Sequence, residues 1–188
     1  MLQTFPDSSP SDSSLSGSGF PGSASPNLPI DACADFPGSP LCAADVARGT
    51  TRLLLRHDLV ALGEVPLDGN RRADLMAIDA RGQIIIVEIK VSRADLLGDG
   101  KWTDYLACCD RYYWAIPAGF DATPLDGPAF LPDRTGIIVA DRYDAAIVRE
   151  AHTVPLAAAT RKRATLAFGR RAGRRLIALT DPEAMTLP

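Results

Sequence analysis

The chain has 188 residues, 46% hydrophobic, 23% charged and 6% aromatic, with a net charge of -3, which is ordinary for one folded domain and excludes two large ones. No apolar run approaches the roughly 20 residues a bilayer span requires, so a membrane protein is not expected. The first residues, MLQTFPDSSP, have neither a basic nor an apolar region, so no secretory signal is read there; a cytoplasmic protein is expected, and that compartment argues against disulfides.

Residues 1–42 contain ten Ser, seven Pro and four Gly, with four Asp and no Lys or Arg. Half the segment is loop-forming, and it reads as a disordered tail preceding one domain over residues 43–188. Without the four acids of the tail, the domain carries 20 basic against 19 acidic side chains, so the overall acidity does not describe the folded part.

Residues 44–57 predict a helix, with Val46, Thr50, Leu53, Leu54 and His57 on one face and Arg48, Arg52 and Arg56 on another stripe. Three strands follow at 61–67, 72–79 and 83–91, separated by Asp68-Gly69-Asn70 and Ala80-Arg81-Gly82. Ser92-Arg93-Ala94-Asp95 has capping-box spacing and opens a helical region that resumes at 101–109. Strands at 111–116, 135–140 and 145–149 come next, with a proline-rich connector over 117–134, and a last helix spans about 156–179. This order predicts one mixed sheet flanked by helices, an α/β (α+β) fold, antiparallel first and then parallel after a helical crossover.

The third strand carries the chemistry. Ile84-Ile85-Ile86-Val87 is apolar on both faces, as a central covered strand must be, and then Glu88 and Lys90 emerge on one face. Charges at the end of a buried strand need partners. If the Ala80-Arg81-Gly82 turn closes a hairpin, Asp74 lies close to Glu88, and two such carboxylates suit a hard cation, Mg²⁺ or Mn²⁺. A same-face ion pair of Glu88 with Lys90 is the plainer alternative. No cysteine pair has zinc-site spacing, and His57 and His152 are too separate to form a ligand cluster.

Between residues 155 and 180 there are seven basic side chains and no acid. On a helix Arg163, Arg170 and Arg174 fall within about 40° of one another, while Phe168, Ala172, Leu176 and Leu179 fall on the opposite side. An arginine ridge on a packed helix suits successive phosphates, and a merely solvated face is the alternative.

Asp74, thirteen residues, then Glu88-x-Lys90 resembles the PD-(D/E)XK nuclease superfamily, with Ala73 in place of the usual proline. Lys101-Trp102-Thr103-Asp104-Tyr105 sits where RecB-like members carry Gln-x-x-x-Tyr, and Lys101 and Tyr105 are expected on one helix face. The run from Arg48-Gly49 through Arg71-Arg72-Ala73-Asp74, Val87-Glu88-Ile89-Lys90, Cys109-Asp110-Arg111 and Gly136-Ile137-Ile138-Val139-Ala140-Asp141 is similar to the MmcB-like DNA-repair family. These resemblances imply a restriction-endonuclease-like fold and a metal-dependent DNA nuclease acting in repair. They imply Mg²⁺ or Mn²⁺ held by Asp74, Glu88 and the Ile89 carbonyl, Lys90 as a catalytic cation or base, and Glu64 as a further acid that could equally be an edge charge. DNA that is damaged, branched or single-stranded is the implied partner, touched by Lys101, Tyr105, Arg163, Arg170 and Arg174, with the protein nucleoid-associated when bound. A catalytically inactive DNA-binding repair factor is the open alternative.

Overall fold

The computed structural model describes residues 39–67 and 71–186. The expected tail falls almost wholly outside the described residues. Helix α1 (Ala43–Arg56) is followed by β1 (Leu59–Leu67), β2 (Arg71–Asp79), β3 (Ile84–Ile89), α2 (Arg93–Gly98) and a 3-10 segment, Trp102–Ala107. Strands β4 (Arg111–Pro117), β5 (Thr135–Ala140) and β6 (Ala145–Arg149) then lead to the long helix α3 (Ala158–Thr180). Among the described residues no helix is long and apolar enough to cross a membrane.

The six strands lie side by side in chain order. β1, β2 and β3 are antiparallel neighbours, β3 to β4 and β4 to β5 are parallel, and β5 to β6 is antiparallel. This is the predicted mixed α/β arrangement. The first crossover runs through α2 and the 3-10 segment, whereas the second uses only the 3-10 turns Thr123–Asp126 and Pro128–Phe130. Prolines in that connector remove backbone donors, which explains why no α-helix forms there.

Every residue of β3 is buried, because layers cover both faces of the sheet. One layer is α1, whose Val46, Leu53 and Leu54 pack on Leu75, Ala77, Ile85, Val87, Tyr113 and Ile138. α1 lies close because Gly49 abuts the turn between β5 and β6: a Cβ there would overlap the backbone carbonyls of Asp141 and Asp144. Arg52 donates to the Tyr143 carbonyl at 2.9 Å, and Arg56 pairs with Asp144 across the same contact. The other layer is an aromatic cluster of Trp102, Tyr105, Tyr112, Trp114 and Phe130, with Phe168 of α3. Cys108 and Cys109 carry reduced thiols.

Helix α3 is docked by arginines as much as by apolar groups. Arg161 makes two 2.7 Å hydrogen bonds to the carboxylate of Asp110, which is 1% exposed, and another to the Gly82 carbonyl. Further along, Arg171 donates to the Glu64 carbonyl at 2.6 Å and Arg175 to the Gly63 carbonyl. Arg161, Ala164, Phe168, Arg171 and Arg175 fall within an arc of about 80° at 100° per residue, and this arc faces the sheet. The apolar side expected from Phe168, Ala172, Leu176 and Leu179 is therefore rotated: Leu176 and Leu179 are 61% and 70% exposed. Long guanidinium groups reach strand carbonyls that short apolar side chains cannot, so they set the helix's rotation.

Candidate metal and nucleic-acid site

The β2 to β3 hairpin register pairs Leu75 with Val87, which brings Asp74 beside Glu88 at the end of the two strands. The two carboxylates are interlocked through the backbone. The Asp74 N–H donates to Glu88 Oε1 at 3.3 Å, and the Ile89 N–H donates to Asp74 Oδ2 at 2.7 Å. Each carboxylate thus has one oxygen held, and the other takes no hydrogen bond from the described residues. Glu88 is 4% exposed. Burial, and then the charge of Asp74, push its carboxyl up to about 8, against the lowering effect of Lys90 and the Asp74 N–H. Burial also raises Asp74, with Ile89 N–H and Lys90 opposing and Glu64 and Asp95 adding to it.

Lys90 is 6% exposed and shares the Glu88 face, but its ammonium pairs elsewhere. Nζ lies 2.8 Å from Asp99 Oδ2 and 3.7 Å from Asp95 Oδ1. Burial lowers the Lys90 pKa, yet the Asp99 hydrogen bond and the charges of Asp99, Asp95 and Glu88 outweigh it and hold the group above its ordinary value. The sequence does not single out Asp95 and Asp99 as partners: the first reads as part of a capping box and the second lies in the break before the helical region resumes at 101. Ser92 does cap α2 by accepting from the Asp95 N–H, which leaves the Asp95 carboxylate free to face Lys90. The available signal was the buried lysine itself, which needed an acid downstream.

Glu64 stands opposite Asp74 in the β1 to β2 register, between the paired positions Gly63 with Leu75 and Val65 with Ala73. Its φ of 54° is left-handed, a strained conformation for glutamate. Arg171 and Arg175 hold the carbonyls of Glu64 and Gly63 in that geometry. The Glu64 carboxylate pairs with Arg72 Nε at 2.6 Å, as an edge charge would. Its charge still reaches Asp74.

The expected shared face of Lys101 and Tyr105 does not form. The segment Trp102–Ala107 is 3-10, in which residues four apart point about 120° away from one another, and Lys101 is the exposed residue preceding it. Tyr105 is buried against the aromatic cluster, its hydroxyl donating to the Arg72 carbonyl at 3.1 Å. Burial and the nearby charges of Glu88, Asp99 and Asp74 push the phenol up to about 12, so it stays protonated. Trp102 is core, 4% exposed. Arg163, Arg170 and Arg174 are exposed on α3, and Arg163 borders a groove against Val65, Pro66 and Leu67 of β1.

Among the described residues no group of three or more His, Cys, Asp or Glu side chains is arranged to hold a metal ion. Two carboxylates with an unused oxygen each remain, and that donor set fits Mg²⁺, which commonly takes one or two carboxylates and completes its shell with water and substrate phosphate.

No curated protein matches the chain. A solved protein of unknown function from Silicibacter pomeroyi is 42% identical, covers 77% of this chain and 94% of its own, and superimposes with a TM-score of 0.68. A family model described as DNA repair protein MmcB-like matches residues 35–183. The chain belongs to the MmcB-like DNA repair family.

Proposed function

We propose that this protein is a metal-dependent DNA nuclease of the PD-(D/E)XK type that hydrolyses phosphodiester bonds during DNA repair. The observation that carries the reading is the interlocked pair of Asp74 and Glu88 at the end of a buried hairpin, flanked by a helix rich in exposed arginines. α3 is pinned at the Gly82 end of the hairpin by Arg161 and at Glu64, beside Asp74, by Arg171. Ten residues of helix span about 15 Å, so α3 runs along the hairpin from its turn toward the strand end that carries the carboxylates.

Asp74, Glu88 and the Ile89 carbonyl would hold Mg²⁺ or Mn²⁺, which supplies a Lewis acid to activate water and neutralise charge on the phosphate. Lys90, kept protonated by Asp99, acts by its positive charge: it orients the attacking water and stabilises the negative charge that builds on the phosphate oxygens. It does not serve as the base. Arg163, Arg170 and Arg174 bind backbone phosphates and place the strand, and the left-handed backbone at Glu64, locked by Arg171 and Arg175, fixes β1 beside Asp74.

A non-catalytic DNA-binding repair factor is the second reading, and the turn of Lys90 toward Asp99 rather than toward Asp74 and Glu88 favours it. One comparison separates binding from chemistry. Replacing Arg163, Arg170 and Arg174 together by alanine should weaken DNA affinity and flatten its salt dependence, since each phosphate contact releases counterions. Lys90→Ala should lower turnover more than affinity. Unchanged affinity and salt slope in the triple variant would assign the arginines to solvent.

A further inference from the structure

The ammonium of Lys90 is buried at the candidate site, yet the partner that holds it is not part of the carboxylate pair. Asp99 contacts it at 2.8 Å from a position where the chain is easily moved. Asp99 directly follows α2, with Gly98 and Gly100 on either side, and a Cβ on either glycine would meet nothing within 4 Å. α2 itself buries only Leu96, and its other ties are the Lys90 contacts and an exposed pair of Arg93 with Asp121. The second oxygen of Asp99 accepts only from the Lys101 N–H, at 3.4 Å. A short, open strap thus presents a carboxylate to the one lysine that faces Glu88.

A carboxylate is the nearest protein equivalent of a phosphate oxygen: both are anionic acceptors that bind an ammonium through charge-assisted hydrogen bonds. Building on the nuclease or DNA-binding reading above, we infer that Asp99 is a positioning residue that occupies Lys90 in the free protein, and that a DNA phosphate displaces it when the strand enters. The pair is only 8% and 20% exposed at its two side chains, so an incoming phosphate reaches Lys90 as the strap over residues 98–100 gives way. Asp95, at 3.7 Å and half exposed, holds the same ammonium more weakly.

The exchange predicts a gain where loss of an ordinary structural contact predicts none. In EDTA, which prevents cleavage, Asp99→Asn should bind a labelled single-stranded or duplex oligonucleotide about five- to tenfold more tightly than wild type. The plot of log affinity against log salt should keep its wild-type slope, because the Lys90–phosphate contact forms in both proteins, whereas Lys90→Ala should flatten it by about 0.7 to 0.9, the loss of one contact. Asp95→Asn, an exposed position, should raise affinity by less than Asp99→Asn. Both gains should vanish in a Lys90→Ala background. Wild-type affinity in the two aspartate variants, gains that persist without Lys90 and so reflect only reduced repulsion of DNA, or an unchanged slope in Lys90→Ala would overturn the inference. Failure of wild type to bind either oligonucleotide at low salt would instead overturn the proposed function.

Discussion

Glu88→Gln should stabilise the metal-free protein at neutral pH and remove much of its pH dependence. The glutamate carboxyl ordinarily titrates near 4.5 and is pushed up to about 8 in the fold, first by burial and then by Asp74. A carboxyl raised in this way gives its full stabilising contribution below pH 4.5, and loses it as pH rises through about 8. At pH 7 the penalty integrates to at most about 3 kcal/mol at 1.36 kcal/mol per pH unit, part of which Asp74 shares. Glutamine is neutral in both states and nearly the same shape, so the variant should exceed wild type by about 2 kcal/mol at pH 7 and match it at pH 4. Urea titrations in EDTA at pH 4, 6, 7 and 8 read this directly. Wild-type stability that is flat from pH 5 to 8, or a variant whose curve runs parallel to wild type, would refute the electrostatic account of the pair.

The same repulsion predicts that Mn²⁺ binds and that Glu88→Gln weakens it in calorimetric titration; equal binding would remove Glu88 from the site. Gly49→Ala should cost about 2 kcal/mol or more in a denaturant melt, because its Cβ would drive α1 away from the Asp141 and Asp144 carbonyls. Arg161→Ala should cost about 3 kcal/mol, since it leaves the Asp110 carboxylate buried without its cation. Burial raises the Asp110 carboxyl, but Arg161 and the Ile84 and Leu156 N–H groups outweigh it and hold it below 3.8. Its stabilisation is therefore complete above pH 3.8 and lost as pH falls through the lower folded value, a loss that Arg161→Ala should diminish in acid melts.

The strands and their pairing were legible because the apolar runs and turns are local signals: the Ala80-Arg81-Gly82 turn alone places Asp74 beside Glu88. The partners of Lys90 were not, since Asp95 and Asp99 reach it only after α2 folds back over the strand end. Helical periodicity misled on α3 because it scores arginine as solvent-facing, whereas Arg161, Arg171 and Arg175 point inward to carbonyls and a carboxylate. It misled again at Lys101 and Tyr105, where a four-residue spacing suited an α-helix and the segment is 3-10. The left-handed backbone at Glu64 has no sequence signal, because it arises from contacts with a helix more than 100 residues later.

The proposal that this repair-family protein cleaves DNA is tested most directly by incubating labelled single-stranded, flap, junction and lesion-bearing DNAs with wild type and Asp74→Ala, in Mg²⁺ or Mn²⁺ and in EDTA. Metal-dependent cleavage of at least one substrate by wild type, abolished in Asp74→Ala while DNA binding persists, is the predicted result. Binding without cleavage of any substrate, or cleavage that Asp74→Ala retains, would contradict it.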